Sequence, residues 1–315
     1  MAPVASALTT PDVALGASSS SSASTMLSVL HTHTLAHTAV SITSGSGPVY
    51  AANDRGIAEI SPWRGTVMRF VARIGAFGAQ DVAVDDATGE VFATGVSDDR
   101  LYRVDPRTGT VSRSAPQSSL LGSVAVDPLR HRVLATLDTG LVAFDSRTLR
   151  VLWTVQVDGF PSDLAVDTSE GTALLATRDS AIIEVTVRGA VLPGLGLPDT
   201  ALRVATDPAR DTDYVGTYGG VDVIRHGRYV RTVAVRGDVA DLTVDPTTGH
   251  AYAVGTVDGA IGHGYLTELD AAHPRRLAQL RLAGGAIVVG RSAGHIFVGA
   301  YPSWRTAPTL YTVGG

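Results

Sequence analysis

The sequence contains neither cysteine nor lysine. Without cysteine the chain can form no disulfide, and it has no thiol for nucleophilic chemistry or for binding a metal ion. All 25 basic residues are arginine; they are scattered along the chain and outnumbered by 30 acidic residues, so the formal net charge is −5. Nucleic-acid-binding proteins usually carry a clustered basic patch, and we therefore expect no nucleic-acid partner.

Long apolar runs and catalytic signature motifs are also missing. No stretch reaches the roughly 18 apolar residues that a membrane-spanning helix requires, so we expect no membrane partner. The sequence has no G-x-S-x-G, H-E-x-x-H, P-loop or dinucleotide-binding motif. Serine hydrolysis, redox cofactors and nucleotides therefore lack support, and no organic cofactor is expected.

The first 24 residues have no arginine and consist largely of Ala, Ser and Thr, with five consecutive serines at 18–22. A secretory signal needs a basic start and a long apolar stretch, and this segment has neither. We predict that residues 1–24 are a flexible leader and that residues 25–315 form one folded domain. The sequence is compatible with both a cytoplasmic and an exported protein.

What the sequence does contain is a sevenfold repeat. Seven strand-like segments begin 38 to 45 residues apart, and ten residues after each start lies a pair with at least one apolar or aromatic member. A period of about 40 residues built from short strands is typical of a β-propeller with one four-stranded blade per repeat. We therefore predict an all-β, monomeric, seven-bladed β-propeller. Its blades are predicted to start at Ala39, Asp81, Ser123, Asp163, Arg203, Asp241 and Ala286.

The seventh repeat is one strand short. Blade 2 has four predicted strands, at residues 81–85, 90–94, 101–104 and 110–113, whereas blade 7 has three, at 286–289, 295–299 and 309–313. The unassigned residues 25–30 align with the fourth strands of blades 5 and 6. The N-terminal strand is therefore predicted to complete blade 7 and to close the ring without a free edge.

The repeat resembles the YVTN and NHL families of propeller repeats over residues 38–315. The matching segments are PSDLAVD at 161–167, VYAAN at 49–53 and LVAFD at 141–145. The resemblance implies the propeller fold but not one function, because such families include enzymes, surface proteins and protein-binding modules.

The start of each first strand is predicted to lie at the mouth of the central channel. Three carboxylates, Asp81, Asp163 and Asp241, then stand on alternate blades, with Arg203 between the last two. Converging carboxylates raise one another's pKa or recruit a cation, so they are candidates for acid-base catalysis or for Ca²⁺ or Mg²⁺. The alternative is a structural role in bonding local backbone. A structural role is also expected for the hairpin aspartates Asp85, Asp127, Asp167, Asp207 and Asp245.

A histidine cluster, His31, His33 and His37, lies in the predicted connection from the closing strand into blade 1. Histidines at i and i+2 of a strand face the same side, a spacing that suits a divalent metal such as Zn²⁺. A solvated loop without metal explains the cluster equally well. His33 and His37 are also candidate proton partners for the ring carboxylates.

The connections between the second and third strands of blades 6 and 7, at residues 256–264 and 301–308, exceed the repeat minimum. Loops of that kind often carry function. A candidate ligand-binding cup at the mouth is formed by Arg178, Arg203, Tyr218, His263, Tyr301, Trp304 and Arg305.

Two functions of different class follow. The first is small-molecule binding at the channel mouth, with or without non-redox catalysis of the lyase, hydrolase or cyclase type. The alternative is a non-catalytic scaffold that binds a protein or a surface polymer through the same rim.

Overall fold

The computed structural model describes residues 26–43, 47–257, 263–270, 272–301 and 307–314. These residues form seven antiparallel sheets of four strands each, arranged in a ring. The predicted all-β, seven-bladed propeller is confirmed. The described part of the chain contains no helix that is long and apolar enough to cross a bilayer.

Each blade runs from its first strand at the channel to its fourth strand at the outside. Blade 1 consists of β2 (Ser41–Ile42), β3 (Val49–Asn53), β4 (Gly56–Ile60) and β5 (Val67–Arg73). Blade 2 consists of β6 (Ala79–Val84), β7 (Val91–Gly95), β8 (Leu101–Asp105) and β9 (Thr110–Arg113). Blade 3 consists of β10 (Val124–Asp127), β11 (Arg132–Leu137), β12 (Gly140–Asp145) and β13 (Val151–Gln156).

The remaining blades follow the same order. Blade 4 consists of β14 (Pro161–Asp167), β15 (Thr172–Thr177), β16 (Ala181–Val185) and β17 (Leu195–Gly196). Blade 5 consists of β18 (Arg203–Asp207), β19 (Thr212–Gly216), β20 (Val221–Arg225) and β21 (Arg228–Val233). Blade 6 consists of β22 (Asp238–Val244), β23 (Ala251–Val257), β24 (His263–Asp270) and β25 (Arg275–Ala283). Blade 7 consists of β26 (Gly285–Ser292), β27 (His295–Tyr301), β28 (Thr309–Gly314) and the N-terminal β1 (Ser28–Thr34).

The core lies between the blades. The second strand of blade 2, β7, is buried at every position, because neighbouring sheets cover both of its faces. Phe92 of blade 2 and Phe144 of blade 3 belong to one such cluster, and neither is exposed. Burial of each large apolar side chain stabilises the fold by about 1.5–3 kcal/mol.

The N-terminal strand closes the ring. β1 pairs antiparallel with β28, from Ser28 opposite Gly314 to Thr34 opposite Thr309. The closing strand is confirmed, but it lies later in the chain than the predicted residues 25–30 and includes His31 and His33. The prediction followed the apolar residues, whereas an outermost strand is held by backbone hydrogen bonds and its side chains are almost all exposed.

The hairpin aspartates stabilise structure in two different ways. Asp85, Asp167 and Asp245 accept backbone N–H groups of their own turns, as predicted. In blades 3 and 5 the hairpin is a 3₁₀ turn instead, and Asp127 and Asp207 pair with arginines.

Candidate ligand site at the channel mouth

A cavity of about 310 Å³ occupies the mouth of the central channel. The predicted Asp81, Asp163, Asp241 and Arg203 all line it. The positions predicted for blades 1 and 7 are wrong, because Ala39 and Ala286 are buried between blades. Ser41 and the pair Ile287 and Val288 take their places at the mouth.

The shift in blades 1 and 7 comes from a shorter first hairpin. Asp81 pairs with Thr94, 13 residues later. Ser41 pairs with Ala52 and Val288 pairs with Gly299, only 11 residues later in each case. The constant spacing of ten residues from strand start to apolar pair therefore holds for blades 2 to 6 alone.

The three ring carboxylates bond the backbone of two blades at once. Oδ2 of Asp81 accepts the amide of Val124 at 2.7 Å, and Oδ2 of Asp163 accepts the amide of Val204 at 3.0 Å. In each case the donor belongs to the first strand of the following blade. Oδ1 of Asp81 also accepts the amide of its own neighbour Val82 at 2.8 Å. The carboxylates thus connect neighbouring first strands.

A β-bulge aims each carboxylate into the channel. The register shifts between Ala79 and Asp81 in blade 2, and the same shift precedes Asp163 and Asp241. An extra residue re-aims the side chains around it. Two of these extra residues, Gln80 and Ser162, line the mouth.

Burial raises the pKa of all three ring carboxylates. The pKa of Asp81 rises to about 6, against the lowering effect of a hydrogen bond with Ser41. The pKa of Asp241 rises to about 7, and the guanidinium of Arg203 limits the rise for both Asp241 and Asp163. Asp241 is therefore partly protonated near neutral pH, whereas a free aspartate would be fully ionised.

A second cavity of about 470 Å³ adjoins the first over blades 3 and 4. The two share Gln80, Gly122, Ser123 and Ser162, so we describe them together as the cup. Arg178 lines the cup, and its amide donates to the carbonyl of Phe160 at 3.0 Å. Arg178 is exposed, and its guanidinium has no ion-pair partner within the residues described.

Two apolar side chains of the cup were not predicted from the sequence. Phe160 is 57% exposed and Leu120 is 49% exposed. Both lie in connections from one blade to the next, at residues 157–160 and 114–123, whereas the predicted cup residues other than Arg203 lie in or beside connections between second and third strands. An apolar residue in a short polar connection was the signal that could have identified them.

Three other predicted residues, Tyr218, His263 and Tyr301, do not line the cup. Tyr218 lies exposed between β19 and β20, His263 begins β24, and Tyr301 ends β27 with 45% of its surface exposed. Trp304 and Arg305 lie outside the described residues.

The histidine cluster lies apart from the ring carboxylates. The rings of His31 and His33 are 6.1 Å apart on β1, while Nδ1 of His37 pairs with Asp54 at 2.7 Å. His33 and His37 line a different cavity, between blades 7 and 1. Within the described ranges, no three His, Asp or Glu side chains are placed to hold a metal ion. A divalent metal remains a prediction of the sequence.

The chain matches no protein-family model, and no curated protein is significantly similar to it. The propeller and its cavities are thus the basis for any statement about function. A seven-bladed propeller fits a binding scaffold, since its loops surround a preformed concave mouth.

Proposed function

We propose that this propeller binds a small anionic molecule with an aromatic or apolar part in the cup. The observation that carries the proposal is that Arg178, exposed and without an ion-pair partner among the described residues, lines one preformed cavity together with Phe160 and Leu120. Arg178 supplies directed hydrogen bonds to an anion, and Phe160 and Leu120 supply apolar contact area. Arg203 is a weaker anchor because its charge is already shared with Asp163 and Asp241.

The geometry favours binding over catalysis. Each ring carboxylate already accepts hydrogen bonds from the backbone of two blades, which restricts its movement toward a substrate. Acid-base chemistry by Asp81, Asp163 and Asp241 remains a proposal, and the pKa of Asp241 near 7 is the observation in its favour.

Fluorine NMR with 4-fluorobenzoate and 4-fluorobenzyl alcohol tests the binding proposal. The benzoate should bind, and the neutral alcohol should bind at least about tenfold more weakly, because it lacks the charge-assisted bonds. Arg178→Gln should weaken benzoate binding by at least about tenfold, while Arg188→Gln, an exposed arginine of the same blade, should not. Equal binding to wild type and Arg178→Gln would refute the site.

A second function, docking of a protein or polymer on the same face, is favoured by apolar exposure outside the cup. Phe77 is 64% exposed and Tyr218 is 54% exposed. Replacing both with alanine should leave 4-fluorobenzoate binding unchanged if the exposed apolar surface and the cup are separate sites. A loss of benzoate binding would instead show that the two surfaces form one site.

We also propose that the repeats are of the YVTN/NHL type. In support, the three segments that carry the resemblance form β14, β3 and most of β12, which are the first, second and third strands of their blades. Homologous sequences that keep these residues would support the assignment, and homologues that vary freely there would contradict it.

A further inference from the structure

A third cavity, which shares no residue with the cup, lies between the closing strand and blade 1. It measures about 440 Å³ and we call it the seam cleft. Its apolar lining comes from the connection after β1 and from three strands of blade 1. The lining includes Leu35, Ala51, Ala58, Ile60 and Phe70.

The seam cleft exists because one position of blade 1 carries a small side chain. Ala58 of β4 pairs with Ala51 of the neighbouring strand β3. Two of the other blades carry a tyrosine at the corresponding position, where Ala93 pairs with Tyr102 in blade 2 and Val298 pairs with Tyr311 in blade 7. Each of these tyrosines packs into the cluster shared with the preceding blade. Ala58 leaves that volume empty between blades 7 and 1.

Hydrogen-bond donors gather at one end of the seam cleft, around the β3–β4 hairpin. The guanidinium of Arg55 lies 5.4 Å from the ring centroid of Phe70 and forms no ion pair in the described part of the chain. Oδ1 of Asn53 accepts the amides of Arg55 and Gly56, which leaves its Nδ2 to donate elsewhere. His37, which pairs with Asp54, stands at the same end.

A buried polar atom also lies in the wall of the seam cleft. Nε2 of His33, a residue of the cleft wall, is buried and has no hydrogen-bond partner among the residues described. A cavity with an unpaired cation and amide donors at one end and alanine, isoleucine and phenylalanine along its walls is complementary to an amphipathic anion.

We propose that the seam cleft binds a small amphipathic carboxylate. The carboxylate is held by Arg55 and Asn53, and the hydrocarbon chain lies against Ala51, Ala58 and Ile60. The site is independent of the cup, with which it shares no residue.

Binding in the seam cleft links the two ends of the ring. Leu35, whose amide donates to the carbonyl of Pro308 at 2.7 Å, belongs to the connection between the closing strand and blade 1. A ligand that contacts this connection and blade 1 together stabilises the closed ring by mass action, and the melting temperature rises with ligand concentration.

Calorimetric titration with octanoate and with octan-1-ol tests the proposal. Octanoate should bind to the wild-type protein and raise its melting temperature, and octan-1-ol should bind at least about tenfold more weakly. Arg55→Gln should weaken octanoate binding by at least about tenfold. Arg73→Gln is the matched control, because Arg73 is exposed on β5 of the same blade and does not line the cleft.

Ala58→Tyr tests the cavity itself. The substitution places at this position the side chain that blades 2 and 7 carry, and it should abolish octanoate binding while leaving the far-ultraviolet circular dichroism unchanged. If this variant does not fold, the Arg55→Gln result decides alone. Absence of octanoate binding at about 1 mM, equal binding of the alcohol, or full binding by Arg55→Gln overturns the proposal, whatever the outcome for 4-fluorobenzoate in the cup.

Discussion

Oδ2 of Asp241 accepts the amide of Val289 at 2.8 Å, so a side chain of blade 6 is bonded to the first strand of blade 7. Asp81 and Asp163 make the same bond from blades 2 and 4. The residues before them in the ring are Ser41, Ser123 and Arg203, and each interacts with the carboxylate that follows. Donors and acceptors thus alternate around six blades. An odd number cannot alternate completely, and the apolar Val288 of blade 7 falls where the alternation fails.

Asp241→Asn should flatten the dependence of stability on pH between 5 and 8. The pKa of Asp241 is about 7 in the folded protein, above its ordinary value of 3.8. The folded state therefore binds more protons than the unfolded state in this window. The contribution of Asp241 to the free energy of unfolding is fully present below pH 4 and is lost as the pH rises through 7. Urea unfolding at pH 5, 6, 7 and 8 should show the wild-type free energy of unfolding falling by about 1–2 kcal/mol more than that of the variant.

Asp105→Asn is the matched control for this experiment. Hydrogen bonds to the amide of Arg107 and the hydroxyl of Thr108 lower the pKa of the Asp105 carboxyl. Its contribution to stability is therefore lost only as the pH falls below about 4, and the variant should keep the wild-type slope between pH 5 and 8. If Asp241→Asn also kept the wild-type slope of stability against pH, a raised pKa of Asp241 would be contradicted.

Arg203→Gln should have the opposite effect on the pH dependence. The guanidinium lowers the pKa of both Asp163 and Asp241 against the effect of burial. Without it both pKa values rise further, and the loss of stability extends above pH 7. The free energy of unfolding should fall more steeply from pH 5 to pH 9 than in the wild type. A shallower slope would show that Arg203 does not act on these carboxylates.

Most of the fold could be predicted because its signals are local. Apolar or aromatic residues recur in the second strand of every blade, the spacing of ten residues recurs in blades 2 to 6, and β9 and β28 begin where they were predicted. Ala39 and Ala286 were assigned to the channel mouth incorrectly, because a hairpin two residues shorter leaves the apolar pattern of the strands unchanged. The apolar periodicity of a strand can be identified in the sequence, whereas the length of the turn that positions the strand cannot.

The cavities were predicted less well, since they depend on which residues from distant blades meet. Three aspartates and an arginine were placed correctly at the mouth because equivalent repeat positions share one end of the channel. The seam cleft could not be predicted in the same way. It results from the small size of Ala58 at a position where a tyrosine would fit, and alanine is common in buried strands for many other reasons.

Arg132→Met should destabilise the protein by about 3–5 kcal/mol, because it leaves a buried carboxylate without its main partner. Nη2 of Arg132 donates to Oδ2 of Asp127 at 2.6 Å, and neither side chain is appreciably exposed. The same guanidinium donates to the carbonyls of Gly171 and Val187 in the next blade. Denaturant unfolding measures the loss.

The double variant Asp127→Leu with Arg132→Met separates the lost pair from the lost packing. Removing both charges also removes the unpaired carboxylate, so the double variant should be more stable than Arg132→Met alone. If instead the double variant is the less stable of the two, the buried ion pair is not the origin of the effect.

Deletion of residues 1–34 should reduce both the melting temperature and the cooperativity of unfolding, whereas deletion of residues 1–25 should change neither. The longer deletion removes β1 and leaves the backbone of β28 without its partner from Thr309 to Gly314. An unpaired edge also invites association with a second chain, so the longer deletion should form oligomers in light scattering. The shorter deletion keeps every pair between β1 and β28 and is the control. Closure by the N-terminal strand would be contradicted by identical melting of the two truncated proteins in calorimetry.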